Sequence, residues 1–317
     1  MRIALVVNAA SGAFASGLTP AAIRGRLTAA GFDLAPEPDP DLPLPLPLPE
    51  RMRRAAGMEG IAAVAVAGGD GTLGCAAGVL AGRGVALAIL PLGTMNLLAK
   101  DLGVPLALEA AIALLRTGRP RAVDLGEVNG HVFVINSVIG MPARMARHRE
   151  ALRARHVGPF GLLDLFGLFG LLRLALATLR HLGAYPRLRA ALSTGGRPER
   201  LRLRLLCVVN DDYAEAPGKI VKRERVDGGR LTLYIARRLP PWRLARLALG
   251  FAAGAWRGMP GLERHESDRL VISAGRRALR VMNDGEIRLI ASLLRYRLRP
   301  GALTVIVPAD AAPESRA

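Results

Sequence analysis

Three short stretches of this sequence combine residue types that could do chemistry. The first, Gly68-Gly69-Asp70-Gly71-Thr72, follows an apolar run at 61–67 and precedes a helix-like run at 73–81. A glycine-rich turn in that place lets backbone N–H groups close around phosphate oxygens at a helix N-terminus. An aspartate inside such a turn repels a bare phosphate, so Asp70 makes sense there only if it handles a metal, positions water or orients the turn. A plain strand-to-helix turn accounts for one or two glycines, but poorly for three with an aspartate. The stretch is neither the dinucleotide fingerprint nor the Walker sequence.

The second stretch, Pro91-Leu92-Gly93-Thr94-Met95-Asn96, again follows a strand-like run, at 85–90, and precedes a helix-like one. Thr94 stands where a helix N-cap would, which is its structural reading. Its functional reading is that Thr94 and Asn96 face the same phosphate pocket from the adjacent strand. Open α/β sheets bind ligands at the carboxyl ends of their strands, where both turns fall. Together the two turns predict a nucleotide-phosphate site. The third stretch is Asn283-Asp284-Gly285-Glu286, between two strand-like runs. Asp-Gly between strands is the usual hairpin turn. The alternative has Asp284 and Glu286 facing the nucleotide across a cleft, where a carboxylate can take the proton from an attacking hydroxyl.

The elements that must position these residues change character along the chain. Strand-like runs at 3–7, 61–67 and 85–90 alternate with helix-like runs at 20–30, 73–81 and 106–115. That is the pattern of a parallel sheet in an α/β domain. Residues 36–49, with Leu-Pro repeating through 42–49, read as an extended surface loop. From about 125 the strand signals fall at 132–136, 201–209, 231–236, 270–273, 279–282 and 303–307, interrupted by helical stretches at 159–182 and 242–257. A length of 317 residues suits two domains at about 150 each. The expected division is an α/β domain at 1–124, a β-rich domain at 125–300, and a last strand and tail at 301–317 that can pack back on the first.

Composition narrows the function classes. With 51% hydrophobic and 22% charged residues the chain is ordinary globular material. Cys75 and Cys207 lie too far apart for a metal or redox motif, and the five His form no cluster, so the expectation is two reduced cysteines in a cytosolic protein. The N-terminus runs straight into the strand-like Arg2-Ile3-Ala4-Leu5-Val6-Val7, with no leader pattern. The most apolar stretch, 165–172, is eight residues long, whereas a spanning helix needs about 20. No transmembrane segment is expected.

The formal charge is +18, of which +1 belongs to residues 1–124 and +17 to residues 125–317. Residues 144–204 alone carry 13 Arg against Glu150, Asp164 and Glu199. Such a field attracts phosphate-rich partners. Leucine and phenylalanine interleave this stretch, and only 4% of the chain is aromatic. That favours an anionic lipid surface over nucleic acid, which usually meets stacking aromatics. A buried helix with solvated Arg at its edges is the alternative.

In order and spacing, the motifs resemble those of the soluble diacylglycerol kinase and sphingosine kinase superfamily, its bacterial members above all. The resemblance runs through Asn8-Ala9-Ala10-Ser11-Gly12, the two glycine turns, 123–126, Gly158-Pro159-Phe160 and Asn283-Asp284-Gly285-Glu286. It implies a phosphofructokinase/NAD kinase-like nucleotide-binding α/β domain followed by a β-sandwich, and transfer of the ATP γ-phosphoryl group to a lipid hydroxyl. Carried over by position, Asn8, Ser11, Gly12, Gly68, Gly69, Asp70, Gly71, Thr72, Thr94 and Asn96 bind the nucleotide. Asp284 is the general base and Glu286 stands beside it. Mg²⁺ accompanies ATP. A second Mg²⁺ is implied at Val226-Asp227-Gly228-Gly229, with Asp227 as ligand, and Asp70 (through water) and Asp124 are further metal-facing candidates. The implied setting is cytoplasmic, peripheral to the inner face of the membrane, with a diacylglycerol-like lipid as acceptor.

The chain departs from the family pattern at three places. Leu73 is followed by Gly74 and Cys75 rather than Asn-Glu, Ala9 replaces a proline, and Gly228 replaces a second acid. NAD kinase, which shares the first glycine turn, and a catalytically silent lipid-binding protein are the rival readings. A dehydrogenase is a weaker third, since the dinucleotide fingerprint is absent.

Overall fold

Residue chemistry sets the first four strands of the computed structural model, which describes residues 1–9, 17–36, 46–140, 187–215, 222–238 and 240–309. In chain order the first half runs β1 (Arg2–Val7), α1 (Pro20–Ala29), β2 (Asp33–Leu34), α2 (Leu48–Gly57), β3 (Ala63–Gly68), α3 (Asp70–Leu80), β4 (Ala86–Pro91), α4 (Leu97–Asp101), α5 (Leu108–Thr117) and β5 (Arg119–Val128). Every residue of β3 and β4 is buried, as expected of parallel strands covered on both faces by helices. β1 pairs in parallel with β2 and β3, and β3 with β4. Thr19 caps α1 by accepting the Ala22 N–H at 3.1 Å, with Pro20 in its first turn. The extended reading of 36–49 ends early: α2 begins at Leu48 with Pro49 in its first turn, where a missing N–H has no consequence. Residues 37–45 lie outside the described part.

The second half runs β6 (His131–Phe133), β7 (Asn136–Gly140), β8 (Leu188–Ser193), β9 (Glu199–Leu203), β10 (Leu205–Asn210), β11 (Leu231–Ala236), α6 (Pro241–Ala253), β12 (Glu263–Ser267), β13 (Arg269–Ala274), β14 (Ala278–Asn283), β15 (Glu286–Ala291) and β16 (Leu294–Val307). The helix expected at 159–182 lies outside the described residues. One sheet has ten strands in the order β2-β1-β3-β4-β16-β13-β8-β9, with β5 alongside β16 and β6 on β5. The other, β12-β11-β10-β7-β14-β15, is antiparallel throughout. A mixed α/β sheet thus passes into antiparallel structure. Leu206, Val208, Leu233 and Val281 of the six-stranded sheet share one buried cluster with Leu192, Leu203, Ile272 and Tyr296 of the ten-stranded sheet. This is sandwich-like packing.

Two strands expected to be continuous are broken. Residues 201–209 change sheets at Arg204, whose N–H donates to the Ala236 carbonyl at 2.9 Å. Gly140, at φ +103°, lets the chain pass there, since a Cβ on it would lie 2.3 Å from the Arg204 carbonyl oxygen. Residues 132–136 break at Val134 and Ile135, between β6 and β7.

β16 joins the halves. Its N-terminal end pairs with β13 and its C-terminal end meets β4 at Val305 opposite Leu87, while β5 follows it along both parts. A bulge between Arg299 and Leu303 holds the Gly301 N–H against Asp124 Oδ1 at 2.7 Å. A second tie is buried. Arg223 Nε lies 2.7 Å from Asp101 Oδ2, with side chains 0% and 1% exposed. The Arg223 N–H also donates to Asp101 Oδ1 (3.2 Å), and its Nη1 to the Val134 carbonyl (2.8 Å).

Stranding one member of a buried ion pair costs about 3–5 kcal/mol, whereas replacing both by apolar groups is close to neutral. Arg223→Met should therefore lower unfolding stability by that amount in urea titration. The double variant Arg223→Met/Asp101→Leu should recover most of the loss.

Candidate active site

The two glycine turns lie side by side because glycine lets their backbones touch. A Cβ on Gly93 would fall 2.4 Å from the Gly69 Cα, and one on Gly68 would fall 2.6 Å from the Thr72 side chain. α3 starts at Asp70, so Asp70, Gly71 and Thr72 form its first turn rather than a loop before it. Asn8, just past β1, donates from Nδ2 to the buried Thr72 Oγ1 at 2.8 Å. Ser11 and Gly12 lie outside the described residues.

Asp70 orients the neighbouring turn. Its Oδ1 accepts the Leu98 N–H of α4 at 3.2 Å. Burial raises its carboxyl above the usual range against the pull of the Leu98, Leu97 and Asn96 N–H groups. Asn96 closes its own loop: its Oδ1 accepts the Gly93 N–H (2.9 Å) and its Nδ2 donates to the Gly93 carbonyl (2.8 Å). Asn96 is also the N-cap position of α4, at φ +48°. Thr94 is therefore not the cap. It is exposed, with no hydrogen-bond partner for its hydroxyl among the described residues.

The Asp284-Gly285 pair forms the hairpin turn between β14 and β15, with φ +48° and +91°, as a primed turn requires. The turn reading and a chemical role do not compete, because the Asp284 side chain reaches elsewhere. Its Oδ2 accepts the Val134 N–H (2.7 Å), and its Oδ1 accepts those of Ile135 (2.8 Å) and Asn136 (3.0 Å). These are the donors released where β6 breaks from β7. Burial pushes the carboxyl up to about 6, although the three N–H groups favour its ionised form.

Asp284 and Glu286 lie against α3. A Cβ on Gly74 would be 3.3 Å from Asp284 Oδ2, and one on Gly71 would be 3.0 Å from Glu286 Oε1. Glu286 is half exposed and pairs with Arg288 at 2.9 Å. Gly71, Gly74, Cys75 and Gly78 recur at helical spacing, which places them on one face. Gly78 approaches Val132. The unusual Gly74 thus leaves room for the hairpin carboxylate. Burial, then the charge of Glu286, raises the Cys75 thiol above its usual value.

The carboxylates considered for a second Mg²⁺ do not fit one. Asp227 Oδ2 lies 2.8 Å from Arg121 Nη2, and its Oδ1 lies 3.5 Å from Arg225 Nε. Burial alone would raise Asp227, but these guanidinium groups hold it below the usual range. The place of a side chain at Gly228 is filled by the Asp211 carboxylate, 2.5 Å from where its Cβ would be. Asp211 is paired in turn with Arg230 at 2.9 Å. Two buried oxygens, Asp211 Oδ2 and Asp227 Oδ1, have no hydrogen-bond partner. The guanidinium groups of Arg121, Arg225 and Arg230 nonetheless stand against these two carboxylates, where a dication would have to sit. Asp124 gives its oxygens to the Gly229 (2.8 Å) and Gly301 (2.7 Å) N–H groups. Among the described residues, no cluster of three or more His, Cys, Asp or Glu could hold a metal.

Sequence reasoning missed the Val134–Ile135–Asn136 donors and the Asp101–Arg223 pair. An unbroken apolar run hides the first, and 122 positions separate the second.

Residues 2–128 match the family model described as diacylglycerol kinase catalytic domain. A Pseudomonas aeruginosa protein named "Probable lipid kinase YegS-like" is 34% identical over 257 residues, 79% of this chain and 78% of its own. A protein of the same name from Pseudomonas savastanoi pv. phaseolicola is 32% identical over 260 residues, 80% of this chain and 78% of its own. A crystal structure of a diacylglycerol kinase from Bacillus anthracis has the same fold, with a TM-score of 0.67 at 20% identity over 98% of both chains.

Two outcomes follow from this geometry. Gly74→Ala should be nearly neutral, because a gain in helix propensity of about 1 kcal/mol offsets the close contact, whereas Gly74→Val should lose about 2 kcal/mol in urea unfolding. Chelation with EDTA should leave the melting temperature of the ligand-free protein unchanged, while Arg121→Ala should lower it by about 3 °C in differential scanning calorimetry.

Proposed function

The chain belongs to the family of lipid kinases that carry the diacylglycerol kinase catalytic domain, and from that premise we propose that it transfers the γ-phosphoryl group of ATP to the hydroxyl of a diacylglycerol-like lipid. The observation that carries this reading is the approach of Asp284 to Gly74 and of Glu286 to Gly71. Two carboxylates from the antiparallel half thereby lie on the helix that opens at the glycine turn.

In this reading Asn8, Gly68, Gly69, Gly71, Thr72 and Thr94 line the nucleotide together with Ser11 and Gly12. Thr94 offers its hydroxyl to a phosphate oxygen, and Asn96 acts by holding Gly93 in place. Mg²⁺ bound with ATP would neutralise the phosphate charge, and Asp70 is the residue that would hold it, through water. Asp284 Oδ2, which accepts one N–H where Oδ1 accepts two, takes the proton of the lipid hydroxyl. The hydroxyl oxygen then bonds to the γ-phosphorus, the bond to the β-phosphate oxygen breaks, and ADP leaves. Glu286 stands beside the reacting groups. The segregated positive charge suits work in the cytoplasm, at the anionic inner face of a membrane.

A second reading has one observation in its favour. A carboxylate occupied by three backbone donors can be purely structural, which would make the protein a silent lipid binder.

The deciding experiment offers labelled ATP·Mg²⁺ and a panel of lipid micelles to the protein, with NAD as a control acceptor. Phosphorylated lipid is the expected product. Turnover should fall as the pH drops through about 6, because the base must be ionised, and level off above it. Asp284→Asn should lose roughly 10²–10⁴-fold in kcat. Glu286→Gln, which disturbs no backbone donor, reports on the site without that structural change. ATP binding with no transfer to any lipid would favour the silent reading, and transfer to NAD would overturn the lipid acceptor.

A further inference from the structure

α6 presents an unusual outer face. Trp242, Arg246, Leu249 and Ala253 are all exposed, and their spacing of i, i+4, i+7 and i+11 puts them in one stripe. Trp242 is 60% exposed and Leu249 71%. The helix is seated from its other side: Leu247, Met259 and Leu262 pack on the first core, and a Cβ on Gly250 would overlap the Met259 side chain. A seated surface helix ordinarily turns polar residues outward. This one shows water a tryptophan and a leucine.

The charges around the stripe identify its partner. No Asp or Glu occurs in residues 237–262, a stretch that holds five Arg. Arg237 pairs with Glu199 and Glu263, and Arg257 with Asp212 and Glu224. Arg238, Arg243 and Arg246 have no carboxylate partner among the described residues. The Arg243 guanidinium carbon lies 5.0 Å over the Trp242 ring. Basic residues around an exposed indole and leucine match a bilayer interface, where anionic headgroups meet the first methylenes of the acyl chains. A nucleic acid strand would want several stacking rings, and the stripe has one.

We propose that the Trp242–Arg246–Leu249 stripe of α6 is the surface by which this protein docks on an anionic lipid bilayer. The lipid-kinase reading supplies the reason for docking. A path of contacts links this helix to the Asp284 cradle. Trp256, just after α6, packs edge-on against Tyr213 and Tyr234, with centroids 6.4 and 5.1 Å away. The Tyr213 hydroxyl accepts from Asn136 Nδ2 at 2.7 Å, and the Asn136 N–H donates to Asp284.

The protein's two tryptophans make the test clean, since Trp256 is buried at 1% and Trp242 is not. Vesicles of phosphatidylglycerol and phosphatidylcholine should shift Trp242 emission to the blue, and acyl-brominated lipid should quench it. Trp242→Phe should abolish both signals. Arg246→Glu/Leu249→Glu should reduce co-sedimentation with these vesicles by roughly tenfold. The same double variant should phosphorylate detergent-dispersed lipid at the parent rate, which also shows that it is folded. Co-sedimentation of the parent without any change in Trp242 emission would overturn the proposal, as would no vesicle binding, or quenching of Trp242 by a single-stranded oligonucleotide instead. Vesicle binding through Trp242 without phosphoryl transfer would leave the docking surface standing and remove the kinase reading alone.

Discussion

Backbone N–H groups that lose their ladder partners must be given others. At the break between β6 and β7, three in succession are given to the Asp284 carboxylate. Much of the site's geometry depends on that arrangement. It turns the Asp284 side chain away from its own hairpin, holds one oxygen beside Gly74, and fixes the loop whose Val134 carbonyl receives Arg223. A carboxylate with these donors would ordinarily be strongly acidic. Burial against α3 works in the opposite direction and prevails, so the group titrates near 6.

The halves of the molecule are joined by different physics at different places. Along β16 they share a hydrogen-bonded ladder, which resists sliding. Through Asp101 and Arg223 they share a charge pair that has no water to fall back on. α4 carries this coupling toward the glycine turns, because Asp70 accepts at its first turn while Arg223 holds Asp101, its last residue. Arginine also takes over at the 226–229 turn, where Arg121 and Arg225 neutralise Asp227. A guanidinium can neutralise and orient a carboxylate with directed N–H bonds.

What the sequence made legible follows from which constraints are local. The alternation of apolar runs reports a parallel α/β sheet, because strands buried on both faces must be apolar throughout. Glycine turns declare themselves, since Gly69 and Gly93 could hardly be anything else where two backbones touch. Asp284-Gly285 is readable as a turn for the same reason. The break at Val134 and Ile135 is not, because β-branched apolar residues suit a strand as well as a kink. Neither is the change of sheet at Arg204, which depends on the distant Gly140. Thr94 resembles a cap in composition, but the left-handed backbone of Asn96 and the carboxylate of Asp70 take that task. The meeting of Asp284 with Gly74 spans 210 positions, and no local pattern announces it.

The position of β16 in the chain bears on how the molecule assembles. The strand that covers the edge of β4 comes from residues 294–307, after every other element described here. While the chain is being synthesised, β1, β3 and β4 can pair, but the outer edge of β4 has no partner until those last residues are made. An open, apolar strand edge of that kind invites pairing with other chains. The order of synthesis therefore delays closure of this edge of the first sheet until β16 has been made.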